Sequence, residues 1–306
     1  MKELLLLLAF VSVPVAASSQ ATNPLWHEQK ITNYLPHMTW PEVQELRTRT
    51  DMVIIPIAAL EQHALHLPIG TDFLNGLERA KLIAQKTPVL VAPILLPGNS
   101  PYHMEFAGTI TLSSHTIQQV YFEAAQSLMK HGFKRFLLLN SHRGNQVITR
   151  YIADRINQET EGIAVDLDEG AAPFLTRSAT PAPATTTFDR HGGVGETSMS
   201  LYMTPNLVNL EAAKRATLTM PDHLTKMLPA VESGDAAATL VFLAEALKAK
   251  STGKKTSTRE MTDTGTWGTR DPREGTAEQG RRQTENFVAA AVKFIERWQQ
   301  LRPMNQ

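Results

Sequence analysis

There is no cysteine among the 306 residues. That excludes disulfides, thiolate metal ligands and an acyl anchor of the lipoprotein kind. An excess of charge of one sign is missing too. Thirty basic residues balance thirty acidic ones and neither sign forms a run, so nothing draws the chain to nucleic acid or to an anionic membrane. Long apolar runs are confined to the first residues, and even that one falls short of the ~20 residues a bilayer requires. No internal repeat is visible. A chain of this length without cross-links must hold itself by core packing, and it can bury roughly three quarters of its unfolded surface.

What is present begins with a leader. MKELLLLLAFVSVPVAASSQA carries Lys2, an apolar stretch from Leu4 to Val13, a break at Pro14 and small residues up to Ala17. This is the pattern of a secretory signal peptide. The expectation is a signal peptide over residues 1–17, a periplasmic or secreted protein, and no membrane contact once the leader is cut. An N-terminal arm over residues 18–38 and a single domain over residues 39–303 then follow.

In the domain, apolar runs alternate with helical periodicity. Val53–Ile57, Val89–Ile94, Phe136–Leu139 and Ile163–Leu167 read as strands. Leu77, Ala80 and Ala84 mark one helix. Ile117, Val120, Tyr121, Ala124, Ala125, Leu128 and Met129 mark a second, with Ser113 or Ser114 to cap it and Gly132 to end it. Val147–Ile156 is a third, another starts near Gly195, and Phe287, Ala291, Phe294, Ile295 and Trp298 line the closing helix. This alternation predicts an α/β fold with a parallel sheet covered on both faces. Residues 171–190, rich in Ala, Pro and Thr, show no periodicity and read as a linker, or as a lid because they lead into His191.

Ligands of such sheets bind beyond the carboxyl ends of the strands, and that is where the chemistry-bearing residues fall. VIIPIAALEQHALHLPIGTD runs from a strand into Glu61, His63, His66 and Asp72. In an extended EQH the side chains of Glu61 and His63 share one side, and Pro68 and Gly70 turn the chain so that Asp72 swings back. His142 follows the third strand in NSHRGN, and HGGVGETS supplies His191 and Glu196. Carboxylates and imidazoles suit borderline divalent ions such as zinc, manganese or iron. Two histidines, two carboxylates and a further carboxylate able to bridge suffice for a two-metal site.

These motifs carry a resemblance. EQHALHLPIGTD is similar to the creatininase-family signature EQHGxHLPxGTD, NSHRGN to its GHGGN or GHYEN turn, and HGGVGETS to its HAGxxETS segment. GNSPYHMEFAGTITL resembles the stretch ending in PGTxSL, and GTWG followed by TAEQG also fits, all in family order. The resemblance implies a three-layer α/β/α amidohydrolase with a mostly parallel central sheet, two divalent metal ions per chain, a small-molecule amide substrate and a homohexamer. It places Glu61 and His142 on one ion and His63 on the other, with Asp72 between them and His191 as catalytic histidine. A metal-bound hydroxide would then open a C–N bond. Creatinine hydrolases carry a glutamate where this chain has Gly144, so Glu196 is expected to complete the second ion's ligands and to act with His191 at the reaction.

Creatinine hydrolases also have tryptophans where this chain reads TTTFDR, with Phe188 the only aromatic. The expected substrate is therefore not creatinine itself. Arg143, His103 and Phe188 are expected on the substrate side, Arg143 to bind a substrate carboxylate, with His66 and Asn145 behind the ligands and Glu105 nearby. Two other readings stand beside this one. The first is a metallopeptidase-like hydrolase of short peptides; the second is a non-catalytic metal-dependent binding protein, against which His191 argues.

Overall fold

The computed structural model describes residues 23, 29–176, 188–246 and 257–304. The signal-peptide expectation and most of the 171–190 linker or lid fall outside the described residues. By its contacts the chain divides into Met1–Lys30 and Ile31–Gln306, and the second unit is described below.

Its centre is a four-stranded parallel sheet. β1 (Met52–Ile57) lies between β2 (Leu90–Val91) and β3 (Arg135–Asn140), and β3 pairs onward with β4 (Ile163–Asp166). Every residue of β1 is buried, as expected of a strand covered on both faces. Because side chains alternate, Val53, Ile55 and Ile57 pack on one side with Ile117, Tyr121 and Ala125 of α3 (Ser114–Lys130) and Ile148 and Ile152 of α4 (Gln146–Glu159). Met52 and Ile54 face the other side, against Ala80 and Ile83 of α2 (Thr71–Ala84) and Val288, Ala291 and Ile295 of α10 (Ala277–Leu301). The result is the expected α/β/α layering. Each fully buried Ile or Val here contributes roughly 1.5–3 kcal/mol.

Local signals set the ends of the elements. Ser113 Oγ accepts the Thr116 N–H at 3.2 Å, which caps α3. Thr276 and Gln279 form a capping box at the start of α10. β2 is shorter than the Val89–Ile94 run suggests, because Pro93 has no N–H to continue the ladder after Ala92. β4 stops at Asp166, whose Oδ1 caps α5 (Leu167–Ala171) by accepting from Asp168 and Glu169 N–H. At the amino end of β3, the buried Arg135 donates to Asp51 and to the Arg302 carbonyl.

The expected arm is not uniform. Its last residues belong to the domain: Val91 N–H donates to the Asn33 carbonyl at 2.8 Å, beside the buried Tyr34. Ahead of that core, α1 (Trp40–Arg47) precedes the sheet. β5 (Asp189–His191) pairs antiparallel with β6 (Trp267–Gly268), and α6 (Val194–Met203) follows β5. Between α6 and β6 lie α7 (Asp222–Thr225), α8 (Leu228–Glu232) and α9 (Ala236–Ala246), which gather around a small apolar cluster of their own.

Candidate metal centre

The segment after β1 is pinned from several sides. Leu60 N–H donates to Pro97 O at 2.8 Å, and Glu61 N–H donates to Ile69 O at 3.1 Å. Asn145, fully buried, takes the Asn99 N–H at 3.0 Å and donates to Ala58 O at 2.9 Å. It thereby ties the loops after β1, β2 and β3 together, and it does so through backbone partners. Asp72 enters from the first turn of α2 and Glu196 from the first turn of α6.

These elements bring five expected ligands to one buried place. His142 Nδ1 lies 3.3 Å from Glu61 Oε1 and 3.2 Å from Asp72 Oδ2. His63 Nε2 lies 3.3 Å from Asp72 Oδ1 and 3.7 Å from Glu196 Oε2. Two groups able to hold a cation follow, Glu61–Asp72–His142 and His63–Asp72–Glu196, and they share Asp72. His191 Nδ1 stands 3.5 Å from Glu61 Oε1 and closes a third group with Glu61 and His63.

The far nitrogen of each ring is already engaged. His63 Nδ1–H donates to Glu61 O at 3.1 Å, His142 Nε2–H to Asn99 O at 3.1 Å, and His191 Nε2–H to Gln62 O at 2.5 Å. In the neutral ring the inward nitrogen then carries a lone pair, and that lone pair faces a carboxylate. Two acceptors this close require a proton or a cation between them. Glu61 Oε2, His63 Nε2 and Asp72 Oδ2 are buried with no hydrogen-bond partner. Such atoms are costly unless something binds them, and the donor set is that of a borderline divalent ion. The residues fit a metal.

Without a cation, protons take its place. Burial opposes charging His63, but Asp72 and Glu196 outweigh it and raise its pKa to about 10. Burial likewise opposes charging His142, and Glu61 drives its pKa well above the ordinary value. Burial also works against ionised Glu61, yet the histidines, His142 first, hold its carboxyl well below the usual range.

Around this centre the other expected residues take different places. Gln62 Oε1 accepts the Ala64 N–H at 2.8 Å, so its Nε2 donates to Gly265 O at 3.1 Å and to His103 Nδ1 at 2.9 Å. His103 therefore carries its hydrogen on Nε2, 3.6 Å from Glu61 Oε1, with its ring stacked on His191. His66 Nε2–H donates to Thr197 Oγ1 at 2.8 Å, and that hydroxyl donates on to Gly193 O; His66 fastens the loop to α6. Arg143 is exposed in the turn after His142, and Glu105 is exposed and belongs to none of the three ligand groups. Phe188 is a correction. Its ring is buried edge-on to Phe242 and Trp267 in the cluster of α7–α9 and does not line the ligands, because an apolar core there takes the aromatic side chain.

Gln62 is the residue the sequence reading passed over. Strand alternation turns it away from Glu61 and His63, and its partners lie 41 and 203 residues away. Gly144 is walled in: a Cβ there would meet His142 Nε2 at 2.3 Å and Asn99 O at 2.5 Å. This backbone leaves no room for a carboxylate at position 144, and Glu196 occupies the free side of His63.

A family model described as "Creatininase: Creatinine amidohydrolase" matches residues 36–295. The mycofactocin precursor peptide peptidase of Mycobacterium tuberculosis (strain CDC 1551 / Oshkosh) is 28% identical over 268 residues, covering 83% of this chain and 88% of that one. The creatinine amidohydrolase of Pseudomonas putida is 26% identical over 193 residues, 58% of this chain and 74% of that one. A crystal structure of creatinine amidohydrolase (creatininase) superposes with a TM-score of 0.64 at 20% identity, over 90% of this chain and 99% of that chain. Creatininases of the same fold have been solved in a Zn–Zn type and a Mn form, with TM-scores of 0.63 and 0.62 at 20% identity. With the family match spanning most of its length, the chain belongs to the creatininase family.

Proposed function

We propose that this chain is an exported, metal-dependent amidohydrolase that opens the C–N bond of a small amide or short peptide. The observation that carries the reading is the convergence of buried, partnerless ligand atoms from Glu61, His63 and Asp72. Glu61, His142 and Asp72 would hold one divalent ion and His63, Asp72 and Glu196 a second. When bound, such ions acidify water and polarise a carbonyl. Zinc, manganese and iron all suit these ligands.

The chain's own groups do the rest. His191 is anchored through Nε2–H on the Gln62 carbonyl, which leaves Nδ1 to take a proton from the attacking water. As the water oxygen bonds to the carbonyl carbon and the C–N bond breaks, the same Nδ1 returns that proton to the leaving nitrogen. His103 presents a neutral Nε2–H into the same space, where it donates to the developing oxyanion. Burial, with the His191 ring next to it, holds His103 well below its ordinary pKa and so keeps it uncharged.

Creatinine is not the substrate in this reading, since Phe188 is committed to a core and offers no wall for a flat ring. Export is supported by the leader pattern of residues 1–17. Assembly of identical copies is part of the same proposal, with Val147 and Tyr151 exposed on α4 as apolar contact residues. The test is an amide and short-peptide panel assayed with and without chelator. Hydrolysis that is lost on chelation and restored by zinc, manganese or iron supports the proposal. A metal-loaded protein that opens none of these amides contradicts it.

A further inference from the structure

The loop that carries Glu61 and His63 meets the segment that carries His191 and Glu196 through Gln62, Ala64 and His66. Gln62 O accepts His191 Nε2–H, Ala64 faces Gly192, and His66 meets Thr197. Of these contacts, the last joins two polar side chains. Counting hydrogens fixes its direction. Thr197 Oγ1 spends its one hydrogen on Gly193 O at 2.7 Å, so toward His66 it can only accept. His66 Nε2 therefore carries the hydrogen and donates it across 2.8 Å. Both residues are buried, at 3% and 0% exposure. A buried pair of this kind stabilises only while both partners are present.

His66 is not itself a ligand, since its nitrogens join none of the three groups able to hold a cation among the described residues. Its bond holds the first turn of α6 instead. Thr197 N–H and Oγ1–H both donate to Gly193 O, at 3.0 and 2.7 Å, which makes that turn a fixed unit. Glu196 projects from the same turn, and its Oε2 accepts the Gly192 N–H at 2.6 Å.

The two ion positions depend on α6 unequally. Glu61, Asp72 and His142 come from the loop after β1, from α2 and from the turn after β3. The other group, His63–Asp72–Glu196, draws one ligand from α6. Its His63 Nε2 and Glu196 Oε2 stand 3.7 Å apart, the histidine side chain wholly buried and the glutamate 26% exposed. Glu196 is the less confined of the two, so its position follows α6.

We propose that His66 is a positioning residue: through Thr197 it clasps the His63 loop to the first turn of α6 and so sets the affinity of the second ion, leaving the first unaffected. This rests on the two-ion reading of the centre and assigns a control residue to one of its two positions.

The test is a calorimetric titration of chelator-stripped full chain with zinc, with bound zinc counted by elemental analysis and folding checked by circular dichroism. The wild type takes up about two ions. His66→Ala weakens the second by about 10- to 100-fold, the usual effect of removing a group that orients a ligand, and leaves the first within about twofold. Thr197→Val is nearly isosteric and gives the same pattern if His66→Ala proves too unstable to purify. Thr197→Ser, which keeps the hydroxyl, restores the second ion, and so does His66→Gln, which keeps a donor. Combining His66→Ala with Thr197→Val costs no more than either alone, because both remove one bond.

Equal weakening of both ions in His66→Ala and Thr197→Val overturns the clasp, as does full retention of both. Failure of Thr197→Ser to restore binding overturns it too. A wild type that holds a single ion overturns the clasp together with the two-ion reading. Selective loss of the second ion in a protein that opens no amide removes the amidohydrolase reading and leaves the clasp.

Discussion

Ala64 and Gly192 face one another with left-handed backbones, at φ 61° and 59°. A Cβ on Gly192 would lie 3.0 Å from the Ala64 Cβ and 3.3 Å from the His63 carbonyl carbon. The two loops carrying His63 and His191 thus meet at a point where one residue must lack a side chain. Ala64 bears the strain of this conformation, held there by its N–H bond to Gln62 Oε1. The resembled signature has glycine at that position.

A pair of substitutions follows. Gly192→Ala destabilises by about 2 kcal/mol, from the left-handed backbone and the new contact together. Ala64→Gly relieves the strain but adds freedom to the unfolded chain, for a net gain of at most about 1 kcal/mol. Urea unfolding of the two variants and of the double variant checks both signs. The double variant should recover part of the Gly192→Ala loss, because Ala64→Gly removes the opposing methyl.

Gln62→Glu exchanges a donor for an acceptor opposite His103 Nδ1. The ring then carries its hydrogen on Nδ1 and turns a lone pair toward Glu61. Turnover should fall about 100-fold while metal content holds, the scale of a lost proton donor. The 15N shifts of the His103 ring report the tautomer directly. Unchanged shifts together with unchanged turnover would contradict the positioning role of Gln62.

The metal-free chain should respond to pH through His63 and His142. Both have folded pKa values above the ordinary 6.5, about 10 for His63. Their contribution to stability is therefore fully present below pH 6.5 and is lost as pH rises through the folded values. A metal must displace the same protons, so its apparent affinity rises with pH, by up to about tenfold per unit for each proton released. Metal titrations of chelator-treated protein between about pH 6 and about pH 9 measure this. An affinity flat across that range contradicts the assignment of the two rings.

Glu196→Gln separates a ligand from a mere turn fastener. Glu196 Oε2 accepts the Gly192 N–H at 2.6 Å and also faces His63 Nε2. The amide can keep the first contact through its carbonyl, and the folded chain should lose under about 1 kcal/mol. As a ligand it cannot be replaced so simply, and metal content should drop toward about one ion per chain. Elemental analysis of the variant decides.

Much of this was legible in the residues, for physical reasons. The β1 run and the α3 stripe are periodic signals backed by burial on defined faces, and they emerged close to where the periodicity put them. The ligands were legible because they cluster at strand and helix ends, where chain direction alone brings Glu61, Asp72 and His142 together. What escaped depends on distant partners. Nothing local to EQH says that Gln62 will reach Gly265. Phe188 beside His191 reads as a pocket wall until α7–α9 supply the core that takes its ring, and those helices are short and weakly periodic. β2 was overrun because apolar residues continue past Pro93 although pairing does not.

The account rests most heavily on Asp72, whose two oxygens lie 3.3 Å from His63 Nε2 and 3.2 Å from His142 Nδ1. The most direct measurement is the metal-to-chain ratio of Asp72→Asn beside the wild type, by elemental analysis of folded protein, with turnover on the same samples. The account predicts about two divalent ions per chain in the wild type, and in the variant the loss of at least one ion and nearly all activity. A variant that keeps both ions and full turnover would contradict it.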